Sequence, residues 1–304
     1  MLLFFFSFEL ESSLFLTADA DVRLSISDSF ERKFGLEAVG ISLRKVFTDN
    51  LGDRLIFFSL VDIVDNFRNK MLDQIYLQYK GPLGRWNITL GRYILPFGLL
   101  ANYSSKRLLF KTLEYETIGI ESDNGVSISG VISEFDYALS LTQGVGTTRW
   151  VDIDKEILFT ARFGYQSVEF ESWNLGLSCA LGRVIKVEHH MPVDDITLYK
   201  KLFSIDLTKY FGPAVLRSEI SFGKEDEIQL FGLFSKVDYA ILPKLDFNLG
   251  YSYLIKNYET HNLTLGVSYS LYGFIIRAAY KFGILGGVKN EFLFQIYKIF
   301  SYSF

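Results

Sequence analysis

The chain has 304 residues, 49% hydrophobic and 16% aromatic, with Phe 29 and Tyr 18 against Pro 5 and Gly 24, a balance that favours strands joined by tight turns over helices or disorder. A net charge of −4 gives no case for nucleic acid as a partner, and the single cysteine, Cys179, excludes an internal disulfide framework and suits a buried or lipid-facing thiol. Nothing in it matches the run of about 18 apolar residues needed for a spanning helix, because the longest stretch free of Asp, Glu, Lys and Arg, residues 260–276, is studded with Asn, Thr, Ser and Tyr.

Read from its start, "MLLFFFSF" has an apolar core but no positive flank, and Glu9 and Glu11 follow at once. It is a poor signal peptide, and residues 1–13 read as a remnant of an export segment. From Leu14 a strict period of two begins. Leu14, Leu16, Ala18, Ala20, Val22, Leu24 and Ile26 share one face, and Thr17, Asp19, Asp21, Arg23 and Ser25 share the other. Such alternation marks a strand with one apolar and one polar face. Further strands are expected at 36–47, 54–65, 71–80, 85–93, 124–133, 135–142, 156–165, 172–180, 201–211, 214–223, 228–241, 273–282 and 291–304. Two more, 245–255 and the run "HNLTLGVSYSL", repeat the alternation of the first. The total, about 16 strands of the length that crosses a bilayer at a tilt, predicts an all-β transmembrane antiparallel barrel forming one domain over 1–304.

Connections support the same reading. The tight links 81–84, 133–134, 211–213, 242–244 and 271–273 follow even-numbered strands, whereas 94–123, 143–155, 181–200 and 283–290 follow odd ones and read as loops. Short turns on one side and longer loops on the other are the habit of transmembrane barrels. A soluble sandwich also alternates, but its core would be rich in branched aliphatics. Here Tyr and Phe gather near strand ends, as in the aromatic girdles of membrane interfaces.

Loop 94–123 follows the fifth strand and carries Lys106, Arg107 and Lys111 against Glu114 and Glu116, and a connection of this length in a compact domain is usually functional. With Arg92 at the strand exit these residues are the candidate pore constriction, while Pro96, Phe97 and Gly98 shape the bend. Alternation places Arg23, Arg44, Arg162, Arg217, Lys236 and Arg277 inside, with Asp19, Asp21, Asp206, Glu219, Asp238 and Asp246 to balance them. Neither sign dominates, so weak selectivity is expected, with a slight anion preference if the basic cluster reaches the narrow point. "HHMPVDD" places His189, His190, Asp194 and Asp195 together, but adjacent histidines on a strand would point to opposite faces, so a solvated loop is expected there. No nucleophile elbow, phosphate-cradling loop or zinc spacing is present; neither an enzyme activity nor a cofactor or metal is expected.

The segments "LGRYILPFG", "ESDNGVSISG" and "FDYALSLTQG", with the later "LFSIDLTKYFGPAVLRSEISFG", resemble a family of outer-membrane porins that includes the phosphate-selective porins. The resemblance implies a bacterial outer-membrane location, a 16-stranded and commonly trimeric barrel, and a loop after strand five folded into the lumen. The chain closes on "IYKIFSYSF", where Phe292, Phe294, Ile296, Phe300, Tyr302 and Phe304 share one parity with Lys298 as the exception. This resembles the closing strand of bacterial outer-membrane barrels, whose terminal aromatic residue serves the assembly machinery. The functional expectation is passive diffusion of small hydrophilic solutes or anions through the lumen. The alternative is a non-conducting barrel that scaffolds a partner in its lumen or at the surface.

Overall fold

The computed structural model describes residues 11–29, 31–50, 52–64, 67, 69–103, 108–147, 149, 156–167, 172–188, 191–285 and 289–304. They form a closed antiparallel barrel of 16 strands in sequence order. The strands are β1 (Glu11–Ser27), β2 (Arg32–Asp49), β3 (Gly52–Val64), β4 (Asn69–Lys80), β5 (Asn87–Ile94), β6 (Ser122–Ile132), β7 (Phe135–Thr142) and β8 (Leu158–Gln166). The other half is β9 (Trp173–Glu188), β10 (Met191–Phe211), β11 (Ala214–Glu225), β12 (Ile228–Leu242), β13 (Leu245–Ile255), β14 (Glu259–Leu271), β15 (Phe274–Leu285) and β16 (Glu291–Ser303). β1 pairs with β16 from Phe15–Ser303 to Ser27–Glu291, and Leu14 and Phe304 exchange backbone hydrogen bonds of 3.1 and 2.9 Å just beyond, so the sheet has no edge. A closed sheet satisfies its own backbone donors and acceptors, which is what a bilayer demands.

All sixteen expected strands are present, but the expected loop at 181–200 is not a loop. β9 and β10 continue their pairing through it to Val187–Pro192 and Glu188–Met191. The register jumps between Pro192 and Thr197, so the ladder carries an irregularity there. The polar sequence reflects a paired ribbon that extends past the apolar belt, where no face has to be greasy. The link between β15 and β16 is also shorter than expected, at 286–290, which leaves 95–121 and 143–157 as the long connections between the described strands.

The outer face is apolar. Ile88 and Leu90 on β5, Val126 and Ile128 on β6, Leu139 and Leu141 on β7, and Leu175 and Leu177 on β9 all lie exposed. Cys179 shares their parity on β9. Near the rim at which β1 begins and β16 ends, aromatic rings meet in a chain. Tyr79 contacts Trp86 at 5.5 Å, Phe135 contacts Phe163 and Tyr165 at 5.4 and 5.2 Å, and Tyr165 contacts Trp173 at 5.1 Å between centroids. This is the position in which amphipathic rings bridge lipid and water. Lys298, the charged exception in the closing strand, reaches out of that band. Its Nζ donates to the Tyr272 carbonyl at 2.8 Å in the tight β14–β15 turn, and it lies 4.2 Å from the Phe274 ring centroid. A long side chain at a strand end can snorkel in this way.

Candidate functional site: the lumen and its folded loop

The connection between β5 and β6 folds into the barrel and lies along the inner wall from β9 to β16. Its root forms a short 3-10 turn, Gly98–Ala101. There the Gly98 N–H donates to Ser178 Oγ on β9 at 3.1 Å, and the Leu99 N–H donates to Glu219 Oε2 on β11 at 2.9 Å. Glu219 is 3% exposed and also accepts from Ser221 Oγ at 2.7 Å. Gly98 adopts a φ of +53°, and a Cβ there would lie 2.7 Å from the Glu219 carboxylate. Glycine is therefore required by both backbone and space.

Apolar side chains hold the rest. Leu95, Phe97, Leu100, Ile118 and Ile120 of the loop share a core with Leu158, Ala180, Val184, Leu202 and Leu230 of the wall. Leu99 and Leu113 pack with Phe234, and Leu109 and Phe110 pack with Ala279 against Leu293. Lumen-facing glycines make room for these residues. A Cβ at Gly232 would lie 3.0 Å from Leu113 Cδ1, one at Gly250 would lie 2.6 Å from Phe110 Cδ1, and one at Gly266 would lie 3.1 Å from Phe110 Cε2. The return limb is pinned by Lys200, which donates to the Thr117 carbonyl at 2.7 Å and forms a close ion pair with Glu225.

The predicted lumen residues fall into charge-compensated groups. Arg23 pairs with Asp21 at 2.7 Å and with Glu37 at 3.5 Å, and Gln295 links Asp21 to Arg277 through bonds of 2.8 and 2.6 Å. Arg162 binds Asp136 at 2.5 Å, Asp206 at 2.8 Å and Asn174 at 2.9 Å. Arg217 and Lys236 share Asp238 at 2.6 and 2.9 Å. Tyr103 of the loop sits among them, its ring 4.3 Å from the Arg217 guanidinium and its hydroxyl accepting from Lys236 at 3.1 Å. Arg44 pairs across the ladder with Phe58, and Asp246 lies part-exposed at the start of β13 opposite Ser268.

Arg92 differs from its expected place. The exposed Ile88 and Leu90 share its parity on β5, whereas Thr89 and Tyr93, of the other parity, line a lumenal cavity. The β4–β5 ladder stops at Ile75–Arg92. In the gap above, the guanidinium donates to the Leu72 and Thr147 carbonyls at 2.8 and 3.0 Å, closely to the Arg149 carbonyl, and through Nε to Asn124 at 3.0 Å. It is 0% exposed, so it seals the wall and lines no aperture. Beside it Asp123 accepts N–H groups from Gly144, Val145 and Gly146, which fixes the start of the β7–β8 connection.

Of the loop charges, Lys111 and Glu116 are exposed and Glu114 is buried; Lys106 and Arg107 lie outside the described residues, as do His189 and His190. Loss of hydration where the loop lies inside the barrel lowers the Lys111 pKa most, and nearby Arg23 lowers it further, against the partial opposition of Glu121, Glu37 and Glu114. Its ammonium also lies 5.1 Å from the Tyr115 ring centroid. Sequence reasoning placed Glu219 and Lys236 in the lumen but missed that they bind the loop. The lumen-parity glycines at 232, 250 and 266 were the available signal.

Between the loop root and the inner faces of β4–β8 lies a cavity of about 390 Å³. Gln74, Tyr76 and Gln78 come from β4, Asn87, Thr89 and Tyr93 from β5, and Ser127 and Ser129 from β6. The loop adds Pro96, Ala101 and Asn102.

No protein-family model and no curated protein sequence matches this chain. Among solved structures, the in-vitro folded trimer form of OmpT, an outer membrane protein of Vibrio cholerae, is similar at a TM-score of 0.74 and 11% identity, over 95% of this chain and 99% of that one. An anion-selective porin from Comamonas acidovorans is similar at 0.70 and 15%, over 97% and 100%. Salmonella typhi OmpF in complex with daunomycin is similar at 0.70 and 11%, over 94% and 97%. At these identities the likeness is one of fold, and the fold is the 16-stranded barrel of bacterial outer-membrane proteins.

Proposed function

We propose that this protein is a bacterial outer-membrane porin that passes small hydrophilic solutes and ions by diffusion through its lumen. The observation that carries the reading is the 95–121 connection, anchored at Leu99–Glu219 and Phe110–Gly250 inside a barrel with an apolar outside and a polar inside. A barrel built only as an anchor has no use for a loop fixed inside its lumen by glycine slots in the wall. The anion-selective porin among the solved neighbours supports the same reading, and the trimer form of the Vibrio cholerae outer membrane protein supports a homotrimer.

Selectivity is weak in this reading, because Arg23, Arg162 and Arg217 each lie against a carboxylate. The slight anion preference is carried by Lys111, exposed on the loop. Phosphate specificity has less support, since no run of uncompensated arginines is found among the described lumen residues. The closing strand ending at Phe304 is read as the contact for the assembly machinery; its side chain is 78% exposed.

Planar-bilayer recording of the refolded protein tests the reading. Ohmic steps with a small anion-leaning reversal potential are expected, and larger steps after deletion of 99–117. Stable insertion without steps would leave the non-conducting scaffold in its place.

A further inference from the structure

The cavity between β4–β8 and the loop root has a lining chemistry that a general aqueous path does not need. We propose that it is a subsite for a neutral polyhydroxylated solute of saccharide type, an inference that rests on the porin reading and names a solute class for it.

Three observations carry it. The volume, about 390 Å³, lies within the range of about 300–1,000 Å³ found for small-molecule pockets. Three carboxamides converge on it, from Gln74, Gln78 and Asn87, with the Asn102 amide, held by Arg162 and the Ala101 carbonyl, at its edge. An amide offers a donor and an acceptor side by side, which matches adjacent hydroxyls of a sugar, and the hydroxyls of Thr89, Ser127 and Ser129 extend the same chemistry. The register explains the convergence, since Gln78–Thr89, Thr89–Ser127 and Asn87–Ser129 are directly paired and face the same side.

The second observation is an aromatic wall beside these amides. Tyr76 provides an aromatic surface for the apolar C–H face of a sugar ring, and its own ring is steadied by Phe58, with centroids 5.2 Å apart.

The third observation excludes anions. Among the described residues, the charged lining residues are Arg162 and Asp136. Arg162 spends its donors on Asp136, Asp206 and Asn174 and, with the Asn102 amide oriented to suit its neighbours, on Asn102 Oδ1 at 3.0 Å. One guanidinium between two carboxylates leaves a local negative balance. Among the described residues an anion entering here would meet no uncommitted positive group, whereas a neutral polyol would meet amides and hydroxyls and feel no net charge repulsion.

The test titrates the refolded barrel with sucrose and, separately, with inorganic phosphate. Two readouts are taken: saturable reduction of single-channel current, and saturation-transfer NMR of the sugar in a sugar-free detergent. Expected are saturable block and transfer with sucrose, none with phosphate, and a half-saturation concentration raised about tenfold by Gln78→Leu with Asn87→Leu. Should that double variant not refold, Ser129→Leu fills the cavity from the lumen face of β6 and is expected to do the same. Equal or stronger block by phosphate, absence of saturable transfer, or block unchanged in the cavity variants would overturn the proposal. The NMR readout keeps the two claims apart, because a barrel that binds sucrose without conducting fails only as a porin, and one that conducts without binding fails only here.

Discussion

Replacing Phe110 with alanine should free the tip of the lumenal loop while leaving the barrel intact. The ring is 8% exposed and fills a slot in the wall that exists only because Gly250 and Gly266 lack side chains. Deleting a buried phenyl group typically costs about 3–5 kcal/mol. Here the vacated slot opens toward lumen water, so the lower end applies, about 3 kcal/mol. At about 1.4 kcal/mol per factor of ten, this shifts the docked-to-undocked ratio of the tip roughly a hundred-fold. No strand-to-strand hydrogen bond is touched, so heat resistance of the refolded barrel on a gel should stay as in the wild type. The assay is single-channel recording together with limited proteolysis of the loop. Raised conductance, added current noise and faster cleavage within 103–117 are expected. Conductance, noise and cleavage all equal to the wild type would refute the glycine-slot anchoring.

Further outcomes follow from the same geometry. Arg92→Ala leaves several backbone carbonyls unpaired in the β4–β5 gap, each charge-assisted bond being worth about 1.5–3 kcal/mol; lower thermal stability with unchanged ion selectivity is expected, and a changed reversal potential in a stable variant would return Arg92 to the aperture. Lys111→Gln should shift the reversal potential toward cations, read across a salt gradient at neutral pH. Because its environment lowers the Lys111 pKa, the wild-type anion preference should fade as pH rises toward and before the ordinary lysine range near 10.4, and the Gln variant should show no such fade. Phe304→Ala, altering a mostly exposed side chain, should refold normally in detergent yet reach the outer membrane in lower amount, measured by fractionation of expressing cells.

The strands were legible because the bilayer enforces the period of two. β1 from Leu14 and β13 from Leu245 alternate because one face meets lipid and the other water. Where that contrast ends, so does the signal. The β9–β10 ribbon around residues 181–200 reads as a loop because a paired ribbon beyond the apolar belt needs no greasy face, and its register jump breaks the remaining pattern. The length of the loop marked it as functional and the family resemblance implied its inward fold, but its path was not legible, since Phe110 meets Gly250 and Gly266 only across more than a hundred residues of sequence. Arg92 was misplaced for a related reason. A strand end where pairing stops can turn an outward-parity arginine into a plug for the wall, and one strand read alone does not reveal its neighbour's end.

The account turns on a conducting lumen, and the most direct measurement is the current carried by the refolded wild-type barrel in a planar bilayer under a salt gradient. Discrete ohmic steps with a small reversal potential of anion-preferring sign are predicted. A barrel that inserts, resists heat as a closed sheet should, and passes no current would contradict it.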